Sequence, residues 1–180
     1  THLGEAHLGN FEDARHLARE KCTLFRGCRR VFMPAALLPE VEDVLACPAV
    51  TWSLDRQASE ADLQATATEQ PGLFHLNWQG ASTQVQLSMH DDVSVHNALT
   101  ASLVALHHGA TLADLASHWP SLKPVSGRLS RVKRPEGGVL LQDDTSHDFG
   151  ALGVGRQRLA GLEDNLPRVA IVGDVPQSGL

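Results

Sequence analysis

The stretches Phe74-His75-Leu76-Asn77-Trp78-Gln79-Gly80-Ala81 and Val85-Gln86-Leu87-Ser88-Met89 hold the clearest pattern in the chain. Phe74, Leu76 and Trp78 alternate with polar residues, and Val85, Leu87 and Met89 do the same. Successive side chains of a strand point to opposite faces, so the alternation predicts two half-buried strands. The Gln79-Gly80-Ala81 loop joins them as an antiparallel hairpin. Ser94 then opens a helix with Val95, Leu99, Ser102, Leu103 and Leu106 on one face and Gly109 as its C-terminal stop.

Upstream of the hairpin, Asn10 caps an expected helix running to about Phe25, with Ala14, Leu17, Ala18, Leu24 and Phe25 as its buried stripe. Lys21 falls on the same stripe, where a core residue is expected. Val31-Phe32-Met33 reads as a short strand closed by Pro34. Residues 36 to 72 are poorly patterned, apart from a strand at Val50-Thr51-Trp52.

Downstream, Thr111-Leu112-Ala113-Asp114 resembles a capping box for a short helix that ends at Trp119-Pro120. Pro120 to Gly127 has two prolines, a glycine and no periodicity, and reads as a linker between residues 1–122 and 123–180. Beyond it the pattern predicts strands at Leu129–Lys133 and Val139–Gln142 around a Glu136-Gly137-Gly138 turn, then a helix between Phe149 and Leu162. Val169-Ala170-Ile171-Val172 is continuous and β-branched, as expected for a strand buried on both faces of a parallel sheet. The order strand, helix, buried strand predicts a second α/β domain.

The 180 residues carry a net charge of −6, which argues against a nucleic-acid-binding face. The basic cluster Arg26, Arg29 and Arg30 reads as solvated element ends. Cys22, Cys28 and Cys47 are odd in number and lack a C-x-x-C spacing, which fits reduced thiols. With no run of about 18 apolar residues, the sequence shows no membrane span, and a cytoplasmic protein is expected. The start at Thr1, without an initiator Met, and the end at Leu180 read as the cut ends of a longer chain.

Five features, at six positions, stand out chemically, and most have a plain alternative. His7 precedes a helix, where a ring nitrogen can reach a metal or phosphate, or simply sit at the surface. Lys21 either extends its amine to solvent along an apolar stem or is held neutral by burial and able to react. Asn97 sits early in the second helix with no apolar role, as an exposed polar residue or a ligand contact. Arg128 and Asp143 flank strand ends after the linker, as surface charges or as the lining of a cleft. Asp174 follows the last apolar run, where α/β proteins tend to bind ligands. No G-x-x-x-x-G-K-[ST] phosphate loop is present.

Order and spacing tie these positions together. Thr1-His2-Leu3-Gly4-Glu5-Ala6-His7-Leu8-Gly9-Asn10-Phe11 resembles the T-N-x-G-x-A-H-x-x-x-F stretch of the Mur ligases. These are ATP-dependent enzymes that add amino acids to the peptide of the bacterial cell-wall precursor. Asp91-Asp92-Val93-Ser94-Val95-His96-Asn97-Ala98-Leu99 is similar to the family segment ending in N-A-L. Pro124-Val125-Ser126-Gly127-Arg128-Leu129 resembles its P-V-x-G-R-L/M, and Leu141-Gln142-Asp143-Asp144 its ribose-binding strand. Val169 to Gly179 is similar to the V-L-G-D-x-x-E-L-G segment.

The resemblance implies the latter part of a central ATPase domain, a mixed sheet with helices and an antiparallel hairpin, in residues 1–122. The start of a Rossmann-like C-terminal domain follows in 123–180. It further implies that His7 helps to hold Mg2+ and that Lys21, fourteen residues after His7, is carbamylated. Asn97, Arg128 and Asp143 would contact ATP. The wording is nearest to the branch that joins D-alanyl-D-alanine to the UDP-linked muramoyl tripeptide. The 91–97 run and the Gly173–Leu180 ending look most like ligase halves fused to an alanine racemase.

The family's phosphate loop and metal-binding Glu lie upstream of the region that matches, so this piece by itself is expected not to turn over. His2 replaces the usual Asn. Asp144-Thr145-Ser146-His147-Asp148 replaces a D-S-Y-N-x-N/D run, and the chain has no Tyr. A Mur-type ligase for another amino acid, and a ligase-like domain that binds nucleotide or precursor without catalysis, stay open as alternatives.

Overall fold

The computed structural model describes residues 11, 13–55, 60–89, 91–123, 130–133, 139–142, 149–161 and 167–171. The chain divides into two compact units, one built on Ala18–Lys123 and one on Pro124–Leu180 together with His2–Leu17.

A five-stranded sheet organises the first unit. Its strands are β1 (Val31–Pro34), β2 (Ala49–Leu54), β3 (Leu63–Ala67), β4 (Leu73–Trp78) and β5 (Ala81–Gln86), in the spatial order β1-β2-β3-β4-β5. The β1–β2 and β2–β3 pairs are parallel, whereas β3–β4 and β4–β5 are antiparallel. The alternation at 74–78 does face the core: Phe74 and Leu76 are buried while His75 and Asn77 are exposed. Gln79 and Gly80 turn the chain with φ of 51° and 80°, and Trp78 pairs with Ala81. Positive φ at both central residues gives the turn the twist that matches the strands it joins. Nothing lies within 4 Å of a Cβ built on Gly80, so backbone conformation and not space selects glycine there.

The poorly patterned stretch contains more structure than the sequence suggests. Leu38–Val41 forms a short helix (α2), and β2 and β3 both fall within it. In β2, Val50, Thr51, Trp52 and Ser53 are all buried, because the strand lies between two neighbours and is covered on both faces. Strand β3 reads weakly because its inward residues after Leu63 are small: Ala65 is 1% exposed, yet alanine is a poor strand signal. Parallel neighbours normally need a long crossover. Here Leu63 sits beside Trp52, so residues 55–62 have only a short distance to recover. Asp55, at φ 55°, donates its N–H to Ala65 O (2.8 Å) and accepts from Ala67 N at Oδ1 (2.8 Å), which ties the connector to β3.

Helix α3 (Asp92–His107) covers the sheet with Val95, Ala98, Leu99, Ser102, Leu103 and Leu106 buried. Its N-cap is Asp91, whose Oδ1 accepts from Ser94 N at 2.9 Å, so Ser94 lies inside the first turn and does not open the helix. At the other end Gly109 adopts φ 98°, with Gly109 N donating to Leu106 O and Ala110 N to Ala105 O. That bond pair is a Schellman termination, which needs a left-handed residue. Helix α4 (Leu112–His118) starts with the expected capping box between Thr111 and Asp114.

The first helix, α1, runs Ala14–Cys22 and gives way to a 3-10 turn at Thr23–Phe25. Asp13 caps it, with Oδ1 accepting from His16 N at 2.6 Å; Asn10 lies outside the described residues. Leu17 and Ala18 are buried as expected, but Leu24 is 75% exposed. The change from 3.6 to three residues per turn after Cys22 rotates Leu24 off the buried stripe.

In the second unit, β6 (Ser130–Lys133) and β7 (Val139–Gln142) form an antiparallel pair, followed by helix α5 (Phe149–Ala160). The expected strand at Val169–Val172 is not formed in its described part. Residues 169–171 belong to no regular element, and Val169 and Ile171 are 75% and 96% exposed. A strand buried on both faces exists only between neighbours, and no described strand pairs with this segment.

Two stability outcomes follow from this packing. Leu99→Ala removes a fully buried side chain from the helix–sheet core; a loss of about 2–5 kcal/mol in urea unfolding is expected. At Asp114 the side-chain and then the backbone hydrogen bond from Thr111 hold the carboxyl below its ordinary value. Its stabilisation is therefore complete above the unfolded carboxyl value of about 3.9 and disappears as pH falls through the lower folded value. Asp114→Ala should lower Tm at neutral pH, with the gap to the parent closing in acid; a gap constant with pH would contradict it.

Candidate functional site

Two of the sequence-selected site residues, Lys21 and Asn97, lie among the described residues, on separate helices. His7, Arg128 and Asp143 lie outside them, as does Asp174. Lys21 occupies the last turn of α1 and is half-buried rather than a core residue, at the margin of the face formed by Leu17, Ala18 and Cys22. The same helix end carries an ion pair, Arg19 Nη2 to Asp43 Oδ2 at 3.3 Å, with both side chains about half exposed. Solvent screening leaves such a pair little energetic weight. Burial, and secondarily the negative charge of Asp43, push the neighbouring Cys22 thiol up from its ordinary value.

Asn97 stands on the second turn of α3, exposed, while Val95, Ala98 and Leu99 around it are buried. Helical periodicity thus turns its carboxamide to solvent from a rigid base. A carboxamide offers both donor and acceptor, and can pair with the edge of an adenine.

Sequence reasoning missed the residues that hold this turn in place. Trp52 of β2 is 2% exposed, and its indole Nε1 donates to Thr100 Oγ1 at 2.9 Å. Thr100 Oγ1 in turn donates to His96 O at 2.9 Å. The His96 ring lies against the indole, with centroids 5.0 Å apart and planes inclined at 53°. Farther along the helix, Trp119 Nε1 donates to Ser102 Oγ at 2.9 Å in a buried bond. A threonine inside a helix beside an apolar strand was the available signal, but only the fold matches it to its tryptophan.

Asp62 Oδ2 accepts from both Thr51 N (2.7 Å) and Thr51 Oγ1 (3.3 Å), beside the end of the β2–β3 pairing at Trp52 and Leu63. Among the described residues no three His, Cys, Asp or Glu side chains cluster as a metal site. No described helix is long and apolar enough to cross a membrane.

The mixed sheet, the covering helix and the order of the motifs are similar to those of one class, the Mur ligases. Within it, the chain is 28% identical over 187 residues to UDP-N-acetylmuramoyl-tripeptide–D-alanyl-D-alanine ligase of Escherichia coli, covering 99% of this chain and 41% of that enzyme. It is 25% identical over 163 residues to the enzyme of the same name from Mycobacterium leprae, covering 79% and 31%. A crystal structure of MurF from Acinetobacter baumannii superposes with a TM-score of 0.69 at 20% identity, over 88% of this chain and 36% of that one. A murein peptide ligase from Psychrobacter arcticus shares the fold at a TM-score of 0.61 and 19% identity, over 85% and 35%. No protein-family model matches. The chain spans less than half the length of the curated relatives it matches.

The thiols at this end of α1 are directly testable. Burial and Asp43 disfavour the Cys22 thiolate, whereas Cys28 is exposed. Iodoacetamide at pH 8 should modify Cys28 well before Cys22, and Asp43→Asn should speed the Cys22 reaction. Equal rates in the parent would refute the burial assigned to Cys22.

Proposed function

We propose that the chain is part of a cytoplasmic ATP-dependent ligase that joins D-alanyl-D-alanine to UDP-N-acetylmuramoyl-tripeptide in peptidoglycan precursor synthesis. The observation that carries this reading is the sequence similarity to the Escherichia coli ligase, which runs through 99% of the chain. Residues 1–122 are read as the C-terminal portion of the central ATP-binding domain and 123–180 as the start of the C-terminal ligase domain. A fused alanine racemase domain is part of the proposal on the strength of the 91–97 and 173–180 wording alone.

The chemistry divides into two displacements. A carboxylate oxygen of the tripeptide attacks the γ-phosphorus of ATP, and ADP leaves. The dipeptide amine then attacks the acyl carbon, loses a proton and expels phosphate. Phosphoryl transfer asks the protein mainly for positioning and charge neutralisation. Asn97 holds the adenine through its exposed carboxamide, and Arg128 and Asp143 hold the phosphate–ribose part of the nucleotide.

Mg2+, when bound, neutralises phosphate charge and favours oxygen ligands. Lys21 supports this reading: it is half-buried at a helix end, where carbamylation would turn its cationic amine into an anionic pair of oxygens. His7 is the second residue assigned to the ion.

A second reading, nucleotide or precursor binding without catalysis, rests on the Asp144-Thr145-Ser146-His147-Asp148 run. Release of phosphate from ATP that depends on both the muramoyl tripeptide and D-alanyl-D-alanine separates the two readings, and also excludes a ligase for a single amino acid. In the full-length enzyme Lys21→Ala should abolish ligation, with partial recovery in short carboxylic acids, and intact mass should show an added carboxyl group on Lys21. Parent-level turnover in Lys21→Ala sinks the carbamate assignment.

A further inference from the structure

We propose that Trp52 and Thr100 are positioning residues for Asn97; the inference rests on the reading of Asn97 as the adenine contact. A buried indole has a single donor, and leaving it unmade is costly. Trp52 satisfies it by donating to Thr100 Oγ1, which accepts there and keeps its own hydrogen to donate to His96 O. The relay ends on the carbonyl of the peptide unit that joins His96 to Asn97. That unit is planar, so fixing its oxygen fixes the plane from which the Asn97 side chain departs. The His96 ring, resting on the same indole, holds the preceding residue from its other end. Residues on either side of Asn97 are thus referred to one rigid group in the sheet, which fixes the backbone from which the exposed carboxamide departs.

The same helix contains its own control. Trp119 makes a chemically equivalent indole-to-hydroxyl bond to Ser102, also at 2.9 Å. That bond fastens α3 to the segment after α4, but Ser102 is part of the buried face and its bond does not lead to the 96–97 peptide. A merely structural role predicts that the two bonds are interchangeable in their effects; a positioning role predicts that they are not.

The test is Mg-ATP affinity, measured by calorimetry on the full-length protein alongside Tm. Thr100→Val and Trp52→Phe should each weaken binding roughly five- to tenfold, the scale of one hydrogen bond's net worth. Thr100→Ser keeps the hydroxyl and should restore affinity to within about twofold, less than one net hydrogen bond. Trp119→Phe should lower Tm comparably and leave affinity unchanged. If Thr100→Val weakens binding no more than Trp119→Phe does, or Thr100→Ser fails to restore it, the positioning role is overturned while Asn97 can still face the nucleotide. If Asn97→Ala itself binds Mg-ATP as the parent does, the reading of Asn97 fails instead.

Discussion

The contact between α3 and the five-stranded sheet is the constraint on which the first unit depends. Val95, Ala98, Leu99, Leu103 and Leu106 share one buried cluster with Val50, Trp52, Leu63, Ala65, Phe74, Leu76 and Val85. Each fully buried leucine contributes about 2 kcal/mol by its removal from water. That single apolar layer joins the parallel half of the sheet to the antiparallel half, because its residues come from β2 through β5. It also decides which way the helix faces, and hence that Asn97 looks outward.

Hydrophobic burial sets this orientation only loosely, since apolar contacts are not directional. The two indole bonds, Trp52 to Thr100 and Trp119 to Ser102, supply the direction. They place polar groups of a helix whose buried face is otherwise apolar against donors of fixed geometry. The Asp91 cap and the Gly109 termination then set the ends of the helix. The exposed face of such a helix rests on the rigid sheet beneath it.

The helix–sheet layer follows packing demands that are independent of any ligand. The residues of α3 and the hairpin retain the periodicity that the fold requires. Core positions answer to packing, and site positions answer to ligand chemistry. A chain can therefore keep a shared fold at 20% identity to a solved structure.

The hairpin, the buried face of α3, the Gly109 stop and the Thr111 capping box were all legible in the sequence, because each rests on local periodicity or on bonds between residues three or four apart. Lys21 and Asn97 were legible as candidates, though their roles came from resemblance and spacing. Tertiary contacts decided the rest. Strand β3, with its small inward residues, exists because β2 and β4 flank it. Leu24 is exposed because the helix tightens after Cys22, and no described strand flanks Val169–Ile171. The Trp52–Thr100–His96 relay joins residues 48 positions apart at its indole bond. No local pattern encodes such a pairing; it arises only when the hydrophobic layer brings strand and helix together and leaves a buried N–H in need of an acceptor.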